Sequence, residues 1–164
     1  MLSGDGRLRV AIVIAQQTSA QQSSGRRLPG IARLAVGMEV FLGIGALLGG
    51  GALILAPDGH LLGIGTSILA GTPFTSFLVP GLCLFGFVGV GPLVAAVVAL
   101  GRKSIAPLAA VAVGLTLIGW IATEMVALAG LGSLAWSFYL VLGTSIAAVG
   151  FSWWRFSRSP SADR

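Results

Sequence analysis

The sequence predicts an all-α membrane protein: a bundle of four transmembrane helices with a short interfacial or re-entrant segment between spans 1 and 2. Three observations lead to this fold class. Hydrophobic residues make up 55% of the chain and charged residues only 9%, whereas a soluble domain carries about 25% charged residues. From residue 34 onward the charges lie in small clusters between apolar stretches of about twenty residues, which is the length that crosses a bilayer. Glycine recurs in these stretches, as helices in lipid tolerate.

Residues 1–33 are predicted to form a basic, mostly disordered cytoplasmic segment. The stretch QQTSAQQSSGRR at 16–27 is polar and low in complexity, which is typical of disorder. The apolar run VAIVIA at 10–15 is shorter than the roughly seven to fifteen residues of a secretory signal. We therefore expect no cleaved signal peptide.

The transmembrane domain is predicted over residues 34–156, with spans at about 34–56, 74–100, 107–129 and 134–154, followed by a cytoplasmic tail at 157–164. The first span ends at a Pro-Asp-Gly turn signal. The second span contains Pro80 and Pro92, each of which removes a backbone hydrogen bond and can kink the helix. We therefore expect the second helix to be the least straight of the four.

Charge distribution sets the number of crossings and the orientation. The segment HLLGIGTSILAG at 60–71 is apolar but too short to span a bilayer. With four spans, all ten Lys and Arg residues fall on one side of the membrane. The positive-inside rule then predicts a multi-pass protein of the plasma (inner) membrane with both termini cytoplasmic. This asymmetry also accounts for the net charge of +5, so we expect the lipid bilayer as a partner and no nucleic acid.

Small residues at helical spacing predict a packing face on the first span. Gly45, Gly49, Ala52 and Ala56 recur at steps of four, three and four, so they share one side of a helix. Gly45 and Gly49 form a GxxxG pair, which lets two helices approach closely. The partner is expected to be another span of the same chain, with homodimerisation as the alternative.

Two glutamates lie within the predicted spans, where a carboxylate is costly and by default a functional hypothesis. Glu39 is near the cytoplasmic side, and we expect it to form an interface ion pair with Arg33, which can snorkel to it. Glu124 is near the outer end of the third span. The two carboxyl groups are predicted to lie roughly 18 Å apart along the membrane normal, so they cannot share one proton or ion.

Glu124 is the candidate ion or proton site. At helical spacing Thr116, Trp120 and Glu124 fall on one face of the third span, with Thr123 adjoining, so hydroxyl and indole groups surround the carboxyl group. Two interpretations are open. Glu124 ties the third span to a neighbouring helix, or it binds a proton or cation near the outer face.

Signals for metal binding and catalysis are weak. Asp58 and His60, in the first outer loop, are candidate metal ligands, but aspartate in a Pro-Asp-Gly turn commonly serves the backbone. Cys83 is the only cysteine, which excludes a CxxC redox pair, and the glycine-rich first span lacks the Lys-Ser/Thr ending of a phosphate loop. We expect no enzymatic activity, no metal and no cofactor.

Three runs carry a resemblance to a known group of proteins: GALLGGGALILAPDG, GTPFTSFLVPGLCLFGFVGVGPLVAAVVALGRK and IGWIATEMVALAG. Over residues 43–130 the chain resembles small four-span membrane proteins of bacteria, many from actinobacteria, that have no assigned function. The resemblance implies the four-span shape and no activity.

Two functional hypotheses follow from these observations. The first is a non-catalytic accessory or scaffold subunit, packing through small-residue helix faces against another membrane protein or a second copy of itself. The second is a small oligomeric channel or transporter that uses Glu124 as a proton or cation site. The few polar residues between Glu39 and Glu124 favour the first.

Overall fold

The computed structural model describes residues 28–127 and 134–158, together with residues 9, 12–14 and 16. In this part of the chain all regular secondary structure is helical. Four long helices are present: α1 (Gly30–Leu55), α2 (Leu78–Leu100), α3 (Ala106–Ala127) and α4 (Leu134–Arg158). Each is long and apolar enough to cross a membrane, and together they suggest a multi-pass membrane protein. The predicted disordered segment and C-terminal tail lie largely outside the described residues.

The four helices alternate in direction, which gives the bundle two chemically different ends. The basic end holds the start of α1, the end of α2, the start of α3 and the end of α4. It carries the cationic residues Arg33, Arg102, Lys103, Arg155 and Arg158. The loop end holds the opposite helix ends and the connecting segment 56–77. At the basic end the bundle is closed by alanines that are at most 1% exposed: Ala32, Ala35, Ala99, Ala106 and Ala110.

Helix α2 changes helical type along its length. It is α-helical over Leu78–Cys83 and Gly91–Leu100, and π-helical over Leu84–Val90 between them. Pro92 lacks an amide hydrogen, and in a regular α-helix its ring would clash with the carbonyl four residues earlier. A wider turn just before the proline avoids that clash. The sequence predicted an irregularity in this helix, and the structure places it in the π-helical segment.

The face of α1 that packs into the bundle differs from the predicted one. Its buried residues follow a repeat of three and four positions, which includes Ala35, Glu39, Leu42, Ala46, Gly50 and Leu53. A Cβ atom on Gly50 would lie 2.7 Å from the Phe85 amide nitrogen, so only glycine fits there. A Cβ atom on Gly45 would meet no atom within 4 Å, and one on Gly49 would meet only Leu84, at 3.7 Å. Burial of the large leucines determines which face of α1 points into the bundle. The GxxxG pair therefore does not lie where α1 and α2 approach most closely.

The other two residues of the predicted packing face differ in burial: Ala56 is buried and Ala52 is half-buried. Helices α3 and α4 approach closely through different glycines: a Cβ atom on Gly114 would lie 2.5 Å from the Ala147 amide nitrogen. Close helix contacts therefore occur at glycines that the GxxxG pattern did not select.

The connecting segment between α1 and α2 forms two short 3₁₀ helices, His60–Leu62 and Thr66–Leu69. Gly59 precedes the first with a φ of 83°, a left-handed conformation that favours glycine. The Phe77 amide donates a hydrogen bond of 2.8 Å to the Pro57 carbonyl, which joins the two ends of the segment. Helix α2 therefore begins at Leu78 rather than at the predicted residue 74. An interfacial or re-entrant position for this segment stays a prediction.

Candidate functional site

Glu124 lies near the loop end of α3 and is held by two tryptophans. The Trp120 indole, one turn earlier on the same helix, donates a hydrogen bond of 2.7 Å from Nε1 to Oε1 of the carboxyl group. The Trp136 side chain, from the first turn of α4, also hydrogen-bonds to this carboxyl group. An indole nitrogen can only donate. The carboxyl group therefore accepts hydrogen bonds from two helices.

Two cavities adjoin this carboxyl group. The loop-end cavity, of about 400 Å³, lies between the connecting segment, α2 and α3, and its wall includes Phe74, Phe77 and Leu69. The inner cavity, of about 140 Å³, lies deeper between all four helices and reaches Leu42 and Gly45 of α1. The two cavities share three lining residues, namely Leu84, Trp120 and Glu124. Of the described residues that line either cavity, Glu124 alone is acidic.

Glu39 is the second carboxyl group within the helices, and it is buried rather than at the surface. Its side chain is 1% exposed. Its Oε2 atom has no hydrogen-bond partner among the described residues. Glu39 occupies the buried stripe of α1 one turn before Leu42, which lines the inner cavity. A buried carboxyl group with one oxygen unpaired among the described residues therefore lies just beyond the inner cavity, toward the basic end.

The predicted ion pair between Arg33 and Glu39 does not form in the described structure. Arg33 is exposed, whereas Glu39 is buried. Six residues along an α-helix rotate a side chain by about 240°, so the two side chains point to different sides of α1. Snorkelling along the helix cannot bridge that difference.

The two threonines predicted to surround Glu124 lie in different places. Thr123 lines the loop-end cavity, and its hydroxyl donates a hydrogen bond of 2.9 Å to the Gly119 carbonyl of its own helix. Thr116 is exposed and lines neither cavity. Eight residues separate Thr116 from Glu124, a rotation of about 80°, which turns Thr116 away from the carboxyl group.

Asp58 and His60 form a pair with each other in the connecting segment. The two side chains approach to 2.7 Å between Nδ1 and Oδ1, and the His60 amide also donates to Oδ1 at 3.3 Å. These hydrogen bonds lower the pKa of the Asp58 carboxyl group. Among the described residues no group of three His, Cys, Asp or Glu side chains could hold a metal ion. The pair is an exposed turn interaction in this structure.

Trp136 is the site residue that sequence reasoning missed. By sequence it is one of the aromatic residues near the end of a span, a position typical of interface anchors. A usable signal was present, because Glu124 and Trp136 flank a short connection between two helices. Antiparallel neighbours of that kind place such residues side by side.

Comparison with protein-family models, curated proteins and solved structures finds no match for this chain.

Proposed function

We propose that this chain is an integral protein of the plasma (inner) membrane that moves a proton or a cation, with Glu124 as the binding group. The observation that carries the proposal is the position of Glu124. It is one of the three residues that line both the loop-end cavity and the inner cavity. The cationic residues at the basic end support a cytoplasmic location for that end and for both termini.

The surroundings of Glu124 favour a particular kind of cation. A carboxylate among apolar walls is costly unless it is neutralised, and two indole donors offset only part of that cost. The bound species must therefore neutralise the carboxylate without a large net dehydration cost. A proton does so by forming a covalent O–H bond, and an organic cation with an apolar body is only weakly hydrated. Phe74, Phe77 and Trp120 offer aromatic faces to such a cation. The volume of the loop-end cavity suits a small molecule.

A route toward the basic end is suggested by the second carboxyl group. From Glu124 the inner cavity leads to Leu42, and Glu39 lies one turn beyond it on the same buried face. The π-helical segment Leu84–Val90 forms part of the wall, through Leu84 and Val88. Such segments are rare and often occur at functional sites. We assign to this segment the movement that opens the apolar barrier between the two carboxyl groups.

An accessory or scaffold subunit is the second candidate, and one observation favours it. At Gly86 and Gly119, on two different helices, a Cβ atom would meet nothing within 4 Å. Uncovered glycines allow a helix of another membrane protein, or of a second copy, to approach closely.

A flux assay separates these candidates. Purified protein is reconstituted in liposomes that enclose a pH-sensitive dye, and proton entry is driven by a potassium diffusion potential, with and without tetraphenylphosphonium as an apolar organic cation. We expect flux above that of empty liposomes, reduced at least tenfold by Glu124→Gln. Glutamine keeps an oxygen acceptor for the indoles but cannot carry the charge.

The matched control is Asp58→Asn, which removes one carboxylate outside both cavities and is expected to leave flux unchanged. Absence of wild-type flux under every condition would contradict transport. A stoichiometric membrane protein that co-purifies in mild detergent would then favour the accessory subunit.

A further inference from the structure

A third cavity lies at the basic end, away from both glutamates. It has a volume of about 600 Å³ and is bordered by the residues before α1, the turn between α2 and α3, and the end of α4. Of the described residues that line it, Arg102, Lys103 and Arg158 are cationic and none is acidic. These side chains give the cavity a positive potential, which attracts anions.

Two tryptophans, Trp153 and Trp154, form part of the same wall. The Arg158 guanidinium group lies 4.4 Å from the centre of the Trp154 ring, a cation–π contact that fixes the arginine at the cavity. The Trp154 Nε1 atom is buried and has no hydrogen-bond partner among the described residues. Because this atom is closed off from solvent, it offers the cavity no hydrogen-bond donor, and the contact with Arg158 is what ties Trp154 to the site.

The turn after α2 holds Arg102 and Lys103 at this cavity. Arg102 has a φ of 54°, in the left-handed region, and its amide donates to the Ala99 carbonyl at 3.0 Å. The Lys103 amide donates to the Val98 carbonyl at 3.2 Å. These bonds end α2 and place adjacent cations beside the start of α3, where the helix dipole adds positive potential.

We propose that this cavity binds the headgroup phosphate of an anionic phospholipid. The cavity is at the ends of the helices, which is the depth of lipid headgroups if the helices cross the bilayer. Below the cations its wall includes the exposed apolar side chains of Ile105 and Leu108, suited to the upper part of an acyl chain. Basic pockets between helices on the cytoplasmic side suit such lipids. This inference depends on membrane insertion and is independent of transport through Glu124.

Native mass spectrometry of the full chain tests the proposal. Protein released from detergent is titrated with dioleoyl phosphatidylglycerol or dioleoyl phosphatidylcholine, and lipid adducts are counted. We expect one phosphatidylglycerol to bind at least tenfold more tightly than phosphatidylcholine. Lys103→Gln and Arg158→Gln should each weaken phosphatidylglycerol binding about fivefold. Trp154→Phe, which keeps an aromatic ring for Arg158, should weaken it by a smaller factor.

Arg33→Gln is the matched control, because Arg33 is an exposed cation at the same end that does not line the cavity. It should change the affinity less than twofold. An equal effect of Arg33→Gln and Arg158→Gln would show general attraction to the basic end and would overturn the proposal. Equal binding of the two lipids would also overturn it. Displacement of phosphatidylglycerol by millimolar glycerol 1-phosphate would overturn it as well, because it would indicate a soluble phosphate ligand. Size-exclusion chromatography verifies that each variant elutes like the wild type.

Discussion

At the scale of single residues, the two glutamates within the helices differ in their partners. Glu124 accepts hydrogen bonds from two indoles, whereas Glu39 is buried and its Oε2 atom has none among the described residues. An unpaired buried polar group opposes folding, and the loss of a paired acceptor leaves its donors unpaired. The same substitution should therefore change stability in opposite directions at the two positions.

We expect Glu39→Met to stabilise the protein by about 1–3 kcal/mol, because an apolar side chain of similar length removes a buried carboxyl oxygen that has no partner among the described residues. Glu124→Met should destabilise it by a comparable amount, because two indole N–H groups lose their acceptor. Thermal unfolding of both variants in the same detergent measures the difference. A loss of stability at Glu39 would mean that its carboxyl group has a partner.

Part of the site could be predicted at this scale. Trp120 precedes Glu124 by four residues, and helical periodicity alone brings their side chains together. The contact with Trp136 depends on how α3 and α4 are placed side by side, which local spacing does not determine. The burial of Glu39, in contrast, follows from local spacing, because Glu39 continues the repeat of Ala35, Leu42 and Ala46.

At the scale of the helices, glycine position determines how closely α1 and α2 approach. Gly50 contacts the backbone of α2, at Phe85 and Gly81, whereas Gly45 is open to the inner cavity. The two positions lie in the same helix and would carry the same substitution, so they form a matched pair.

Gly50→Ala is expected to destabilise the protein by about 1–3 kcal/mol, because the new methyl group forces two backbones apart. Gly45→Ala should be neutral or stabilising by up to about 1 kcal/mol, because alanine favours the helix and meets no neighbour. Thermal unfolding in detergent compares the two. The reverse order would indicate that the GxxxG face, and not the Gly50 face, packs against α2.

The number and approximate extent of the helices could be predicted from hydropathy and turn residues, since each apolar stretch has its own boundaries. The exact start of α2 could not be predicted, because it depends on a long-range contact. The Phe77 amide donates a hydrogen bond to the carbonyl of Pro57, twenty positions earlier in the chain. Local sequence pattern also could not predict which of the small residues of α1 pack inward. Several small residues compete for that role, and burial of Leu42 and Leu53 decides among them.

At the scale of the whole molecule, the two ends of the bundle differ in packing. At the basic end closely packed alanines lie between the helices and the third cavity lies at the helix ends, whereas the two cavities beside Glu124 lie between the helices toward the loop end. If α1 and α2 move relative to α3 and α4, the loop end has the space for that movement.

Spin-label distances test this expectation in a Cys83→Ser background. One pair, Leu55→Cys with Leu134→Cys, reports on the loop end, and a second pair, Leu34→Cys with Phe156→Cys, reports on the basic end. All four positions are exposed. We expect the first distance to be broadly distributed and to shift with Glu124→Gln, and the second to stay narrow. An equal shift at both ends would show that the bundle moves without a fixed end.

The alanines at the basic end have one further consequence. Alanine has no side-chain rotamers, so surfaces built from it cannot loosen by small side-chain adjustments; they separate as rigid bodies or stay together. The basic end is therefore the part of the bundle that resists separation. If the chain transports a solute as proposed, a solute admitted beside Glu124 reaches a space that is closed on the basic side, and opening that side is the slow step of the cycle.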